Sequence, residues 1–528
     1  MHRPGGPGAG PADGRLIMDM LANRQFSSRG PQSPQTSSLI DDLEPTYREI
    51  LFAAVMVLWF LMGMTAAPPG SEDTINTIGL IAFSILLAWA AYHQMKRNTA
   101  SLWTPLLWYR VATMSYFGIG SLVPIWINGE TLDLMKGFYA FFGYEIVKLN
   151  LLITVFNLVF IFTIKIVFII MRRNDAFRKI YIGNIISPSN LDMIVFGSIS
   201  LTVGSLVNYF VVFPQTVGLI NLSAYATLAQ LSILGWIGYF MVIYWGLQNR
   251  RPGLVLLAIV LALGESAIGF FQMSKAFMLM PIVMVGVAFI YHRRTLPRIA
   301  IFITFFVSLF MTLTPLVGYV RLANMMYYSG AAPFTEVPKI YISYFTDGSD
   351  PNRYSDTEDG WMRLSFVNAA TFVINQYDHG MPGTSYRYWS IVWIPRAIYP
   401  SKPIITDVAR ELSYAANGNY NSSSSAGLAA EAYWNGGWVA TIGIAIIVAL
   451  ILGSWSIYSF VVIQRKAWHL FFIVLIGMRM SIRVDGAFVS DILGPIALVI
   501  GAHIALELMN RFLPQAFANA TRRKPVLR

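Results

Sequence analysis

Apolar runs long enough to cross a bilayer recur from near one end of this chain to the other, and that recurrence leaves little choice of fold. A helix rises about 1.5 Å per residue, so about 20 apolar residues cover the roughly 30 Å of hydrocarbon in a membrane. The runs read as about twelve spans: 51 to 66, 76 to 95, 103 to 126, 150 to 171, 192 to 213, 227 to 247, 253 to 271, 276 to 292, 299 to 320, 438 to 463, 468 to 482 and 487 to 509. Hydrocarbon offers no water to a backbone N–H or C=O, so spans of this length must be helices. A mean hydropathy of +0.55, with 55% hydrophobic and 12% charged residues, fits no soluble chain of 528 residues. The expected fold class is an all-α polytopic membrane protein.

Orientation follows from where Lys and Arg fall between spans. The even connections carry Lys96-Arg97, Arg172-Arg173 with Arg178-Lys179, Arg250-Arg251, Arg293-Arg294 with Arg298, and Arg465-Lys466. The odd ones are sparse, and residues 67–75 and 214–226 have neither. Both tails are basic, so twelve spans close the alternation with both termini in the cytoplasm. The net charge of +11 is then topology signal and attraction to anionic lipid, with no nucleic-acid partner implied. Residues 1–45 are rich in Gly, Pro, Ser and Gln and lack an apolar h-region, which predicts a disordered cytoplasmic tail with no cleavable signal.

Absent residues narrow the chemistry. There is no cysteine, so disulfides, thiolate catalysis and cysteine metal sites are excluded. The six histidines share no metal-ligand spacing, and neither a Walker A loop nor a dinucleotide fingerprint occurs. No metal and no cofactor is expected.

The exception to the hydrophobic pattern is the polar insert from Arg321 to Asn435. Its first part, 322 to 360, is turn-rich and acidic and reads as a flexible lid or solvated surface. From Trp361 to Gln376, apolar Leu364, Val367, Phe372 and Ile374 stand among polar neighbours, as in an amphipathic helix at the interface. Tyr386 to Tyr399 repeats the pattern with Tyr386, Tyr388, Trp389 and Trp393. From such a floor Arg363, Arg387 and Arg396 would project. A guanidinium fork matches phosphate oxygens, so these arginines either grip a pyrophosphate or snorkel as ordinary interfacial cations. In WIPRAIYPSKP, Arg396 and Lys402 are stiffened by Pro395, Pro400 and Pro403. Beyond a Ser-rich loop, AGLAAEAYWNGGWVA runs into the tenth span and puts Glu431 near the outer boundary. Partial desolvation there pushes a carboxyl toward the range useful for proton transfer; the competing reading is an ion pair with a nearby arginine.

WIPRAIYPSKP, the Ser/Gly loop and AGLAAEAYWNGGWVA together resemble the signature of Wzy-type bacterial oligosaccharide repeat-unit polymerases, and MSKAFMLMPIVMVGVAFIYHRR resembles a mid-chain span of that family. The likeness covers mainly 361 to 445 and 272 to 294, and Ala430 stands before Glu431 where the family more usually has Gly. The resemblance implies a GT-C-like glycosyltransferase in the bacterial inner membrane that joins undecaprenyl-pyrophosphate-linked repeat units on the periplasmic face. It implies this layout: a tail at 1–45, spans one to nine over 46–320, a periplasmic catalytic loop at 321–436, spans ten to twelve over 437–510 and a basic cytoplasmic tail at 511–528. Membrane lipids, a chain-length regulator and a flippase are the further partners it implies.

On that reading Glu431 is the general base, with His379 as the alternative, and Arg396 stabilises the departing pyrophosphate with Lys402 and Lys275. Arg321, Arg363 and Arg387 add to the cationic lining. Arg479, Arg483 and Asp485 sit at the last outward turn, where they form a second phosphate clamp or an Asp485–Arg483 pair. Tyr399, Tyr433, Trp434 and Asn435 are candidates for sugar contact, although aromatic residues also form ordinary interfacial belts. Two other classes stay open: another lipid-carrier transferase such as an O-antigen ligase, and a transporter of lipid-linked oligosaccharide. Glu265 in the seventh span is the residue that speaks for transport. The large insert, which has no counterpart in the first half, speaks against it.

Overall fold

The structure is a computed structural model that describes residues 41–500, apart from 128–129, 137–138, 140, 175–184, 186–189, 221, 223–229, 293–295, 329–331, 347–363, 395–398, 400, 404–406, 418–424 and 498. Arg363 and Arg396 lie outside the described residues, as do the acidic positions from Asp347 to Asp359. All regular structure among the described residues is helical. Eight helices there are long and apolar enough to cross a membrane: Tyr47–Thr65 (α1), Glu72–Arg97 (α2), Gly143–Arg173 (α3), Met193–Thr216, Pro252–Phe271, Lys275–His292, Thr304–Tyr328 and Leu428–Gln464. Ile233–Gln248 is apolar but shorter.

Local chemistry sets the helix ends. Thr46 caps α1 by accepting the Glu49 N–H at 3.2 Å. Glu72 and Asp73 open α2 and Lys96 and Arg97 close it, each complementing the helix dipole. The third expected span, 103 to 126, is not one regular helix. It divides into Pro105–Thr113, a π turn Met114–Ile119 and Gly120–Trp126. Pro124 has no N–H to give to the ladder. At Gly120 the backbone carbonyl of Leu364 comes so close that a Cβ would lie 2.0 Å from it. The polar insert thus docks on the irregular part of this span, where π turns commonly mark function.

The core is built on α3, whose Phe160, Ile164 and Phe168 have no exposed surface, packed against Leu428–Gln464. Lipid is as apolar as a leucine side chain, so close packing and polar contacts between helices hold such a bundle together. The Asn76 amide donates to the Gly143 carbonyl at 3.0 Å, and the Asn150 amide to Asn76 at 2.9 Å. At the other end of the same helices, the Arg110 guanidinium grips Glu49 with Nε at 3.0 Å and Nη2 at 2.9 Å and also donates to Gln94. Both partners are almost wholly buried. An aromatic cluster, Phe240, Tyr244, Tyr291, Trp468 and Phe471, joins this bundle to Ile233–Gln248 and Lys275–His292.

Basic helix ends gather together. Arg172 pairs with Asp41 and Glu44, and Lys165 pairs with Glu44. Arg97 donates to the Glu44 carbonyl, Gln464 to Asn98, and Arg465 to the Ile185 carbonyl. At the opposite end, Lys148 near the start of α3 pairs with Asp378 of the insert. Two readings of the insert need correction. Part of the expected lid is helical, since one helix runs on to Tyr328 and another covers Val337–Thr346, its Ile340 and Tyr341 buried. The second amphipathic helix, Tyr386 to Tyr399, is only a 3₁₀ turn at Ser385–Tyr388 followed by further turns. The first does form, at Val367–Asp378, burying Val367, Ala370, Phe372, Val373 and Ile374.

Candidate active site around Glu431

The stretch that carries Glu431 is a short helix set against a long one. Gly436 and Gly437 interrupt Leu428–Gln464, and Gly437 takes φ +62° and ψ −149°, which a residue with a Cβ rarely adopts. Tyr377 fills the space beside it, 2.7 Å from where a Cβ would lie. The helix starts just after Gly427, at φ +80°, where a Cβ would fall 2.6 Å from the Phe117 ring and 3.3 Å from the Val484 carbonyl. Glycines at both ends therefore let Leu428–Asn435 be seated between the insert and the last described helices.

Glu431 is 4% exposed. Its Oε2 accepts the Phe488 backbone N–H at 2.7 Å, and Oε1, although buried, has no hydrogen-bond partner among the described residues. The Ser385 hydroxyl faces the same carboxylate, and Asp491 adds like charge nearby. Among the described residues Glu431 makes no ion pair; Arg363 and Arg396, two of the arginines of the competing reading, lie outside them. Asn435 holds the surroundings together: its amide donates to Ser385 Oγ at 2.7 Å and to the Glu431 carbonyl at 2.8 Å, and its Oδ1 accepts the Tyr386 N–H at 3.3 Å. The buried Tyr386 hydroxyl also lacks a partner among the described residues. Burial first, and Glu431 second, push that phenol well above its ordinary range, so it remains a neutral donor.

Arg483 lies beside this group and bridges two carboxylates, Nε to Asp491 at 3.1 Å and Nη1 to Asp485 at 3.4 Å. Asp491 is in turn fixed by the Ala487 N–H and the Ser490 hydroxyl, each at 3.0 Å. Burial pushes the Asp485 carboxyl up while Arg483 pulls it down, and the net shift is upward. The Arg483 side chain stays 44% exposed, so a face of the guanidinium is open to a ligand while the carboxylates orient it.

Tyr433 donates to Asp378 at 2.9 Å, and Lys148 binds the other oxygen of Asp378 while standing 5.2 Å from the Tyr433 ring centre. Trp434 donates to the Met381 carbonyl at 3.2 Å. His379 ends the Val367–Asp378 helix, exposed, with Nδ1 2.8 Å from the Asn375 carbonyl. The structure thus brings together Glu431, Tyr433, Trp434, Asn435, Arg483 and Asp485, with His379 next to Asp378.

Other expected residues sit elsewhere. Lys402 is buried, and its Nζ donates at 2.9 Å to the Val392 and Ile394 carbonyls, locking the turn that carries Trp393. Tyr399 is 38% exposed, and its carbonyl closes a turn with the Lys402 N–H at 3.0 Å. Arg387 pairs with Glu411 and donates to the Tyr388 hydroxyl at 2.7 Å. Arg321 donates to the Met273 carbonyl at 2.8 Å, and Lys275 stands over the Phe310 ring at 5.4 Å; the Met273 and Tyr341 about them belong to a cluster separate from the main core. Arg479 is exposed on the helix Phe471–Ile482. Sequence reasoning missed Lys148, Asp378, Ser385 and Asp491. Only Asp491 carried a signal, as an acidic residue within the twelfth apolar run.

No family model matches the chain, and neither a curated protein nor a solved structure matches it.

Proposed function

We propose that this chain is a Wzy-type polysaccharide polymerase, a metal-independent glycosyltransferase that joins lipid-pyrophosphate-linked oligosaccharide repeat units. The observation that carries the reading is Glu431, a buried carboxylate with one oxygen anchored by a backbone N–H and the other without a partner. A general base needs that combination of fixed position and free lone pair. As the acceptor hydroxyl oxygen bonds to the anomeric carbon of the donor chain, its proton passes to Oε1 of Glu431. The bond from that carbon to the pyrophosphate breaks, and the electron pair leaves on the lipid carrier. Arg396, with the open face of Arg483, meets the charge that develops there. Trp434 and Trp389 offer ring faces for sugars, whereas the expected sugar contact Tyr433 is buried against Tyr377 and Trp438, and the neutral Tyr386 hydroxyl is a donor beside the base.

In this account the chain crosses the bacterial inner membrane twelve times, with both termini in the cytoplasm and residues 321–436 facing the periplasm. The gathering of Arg97, Arg172 and Arg465 at the end opposite the Lys148–Asp378 pair supports that orientation. Single cysteines in place of Met381 and Tyr414, both exposed, are expected to react with a membrane-impermeant maleimide in intact spheroplasts. Cysteines in place of Asn174 and Asn249 are expected to react only after lysis; early labelling of that second pair contradicts the orientation.

Arg396→Lys keeps the charge but replaces a two-pronged grip on phosphate by a point contact. Turnover is expected to fall by about 10² to 10³, with expression and membrane insertion unchanged. Polymer of ordinary length and yield from the Lys variant shows the fork to be dispensable.

A further inference from the structure

A second buried carboxylate stands apart from the Glu431 site. Glu265 is 1% exposed within Pro252–Phe271, a helix whose other residues are apolar apart from Ser266 and its small glycines. Its Oε1 accepts the Ser205 hydroxyl at 2.7 Å. The side chains of Asn208 and Tyr239 close on the same carboxylate, and the Tyr209 hydroxyl lies 3.0 Å from where a Cβ of Gly264 would be. Asn208 is 2% and Tyr239 0% exposed, yet Asn208 Oδ1 and the Tyr239 hydroxyl have no hydrogen-bond partner among the described residues. Among the described residues, no lysine, arginine or histidine acts on Glu265.

We propose that Asn190–Val207, the π turn Asn208–Val212, Ile233–Gln248 and Pro252–Phe271 together hold a site for one monovalent alkali cation, with Glu265 as its charged ligand. A bare carboxylate in hydrocarbon is costly, so it needs a positive partner or a proton of its own. Three oxygens line the position, those of Glu265, Ser205 Oγ and the Tyr239 hydroxyl, while the Asn208 amide N–H braces the carboxylate. Hard oxygen donors suit alkali and alkaline-earth ions and disfavour softer metals. A single carboxylate balances a single charge, whereas calcium sites draw on several. A cation also gives the orphan Tyr239 hydroxyl a partner, since a tyrosine lone pair is a ligand to it.

The frame around the position is stiff. The backbones at Gly204 and Gly235 approach so closely that a Cβ on Gly204 would sit 2.0 Å from the Gly235 nitrogen, and one on Gly238 would sit 2.4 Å from the Leu201 nitrogen. Helices locked through glycines hold their ligands at fixed spacing. Asn208 opens a π turn, and such turns recur where a helix contributes to a site.

The test is tracer binding to purified full-length protein, with sodium-22 and, for a larger alkali ion, rubidium-86, in choline chloride at constant ionic strength and pH. One saturable ion per chain is expected for one of the two tracers. Glu265→Gln, which keeps shape and loses charge, is expected to abolish that binding. Tyr239→Phe keeps the ring and removes one oxygen, and is expected to weaken affinity about tenfold with the unfolding midpoint in choline unchanged. Replacing choline by the bound cation is expected to raise the wild-type midpoint by about 3 °C and to leave Glu265→Gln unmoved. Wild-type protein that binds neither tracer saturably overturns the proposal and leaves Glu265 as a protonated carboxyl. Saturable binding that survives in Glu265→Gln overturns it as well, by placing the ion elsewhere. Both readouts are independent of polymerisation, so a failed polymerase assay does not bear on this site.

Discussion

Glu431→Gln is expected to lower turnover by about 10² to 10⁴ while lipid-linked substrate still binds. Glutamine keeps the size of the side chain, and its carbonyl oxygen still accepts the Phe488 N–H that now holds Oε2 at 2.7 Å. What it loses is the ability to take a proton at the second oxygen, which has no partner among the described residues. A structural role predicts a different pattern. A carboxylate that merely braced the Phe488 turn would show its loss first in the unfolding midpoint and in substrate affinity. Separate measurements of binding and single-turnover rate on purified protein decide between these. Undiminished turnover in the Gln variant removes Glu431 from the mechanism and moves the base to His379 or to the substrate's own phosphate.

Arg110→Met is expected to destabilise the chain by about 3 to 5 kcal/mol without touching the Glu431 site. Glu49 then remains almost wholly buried with no cation, and Gln94 loses its donor. The double variant Glu49→Gln, Arg110→Met removes both charges, and is expected to recover most of the loss, because an unmatched buried charge costs more than an absent pair. The check is thermal unfolding in detergent for the two single variants and the double. Additive losses in the double variant contradict the reading of this pair as one unit.

How far the sequence disclosed this depends on whether the cause is local. Apolar length and charged ends are local, and helices such as Glu72–Arg97 and Lys275–His292 fall where the runs 76 to 95 and 276 to 292 put them. The amphipathic Val367–Asp378 was legible for the same reason, as periodicity. The failures are tertiary. Nothing near Tyr386 says that the segment turns over Phe488 instead of continuing as a helix; the ring contact with Phe488, at 5.8 Å, is made across the chain. The Lys402 ammonium looked available because its partners are backbone carbonyls, which leave no mark in a pattern of side chains. Lys148 and Asp378 stand 230 residues apart, and neither is unusual in its own neighbourhood. Glu431 was legible as a boundary carboxylate, but its anchoring by a backbone N–H 57 residues away was not.

The most direct test of the central claim uses purified protein in proteoliposomes supplied with a lipid-pyrophosphate oligosaccharide of a single repeat unit. The account predicts products of two or more repeat units, released lipid pyrophosphate in matching amount, activity that persists in a metal chelator, and loss of all three with Glu431→Gln. Single repeat units that cross the bilayer with no new glycosidic bond contradict it, and make the chain a transporter.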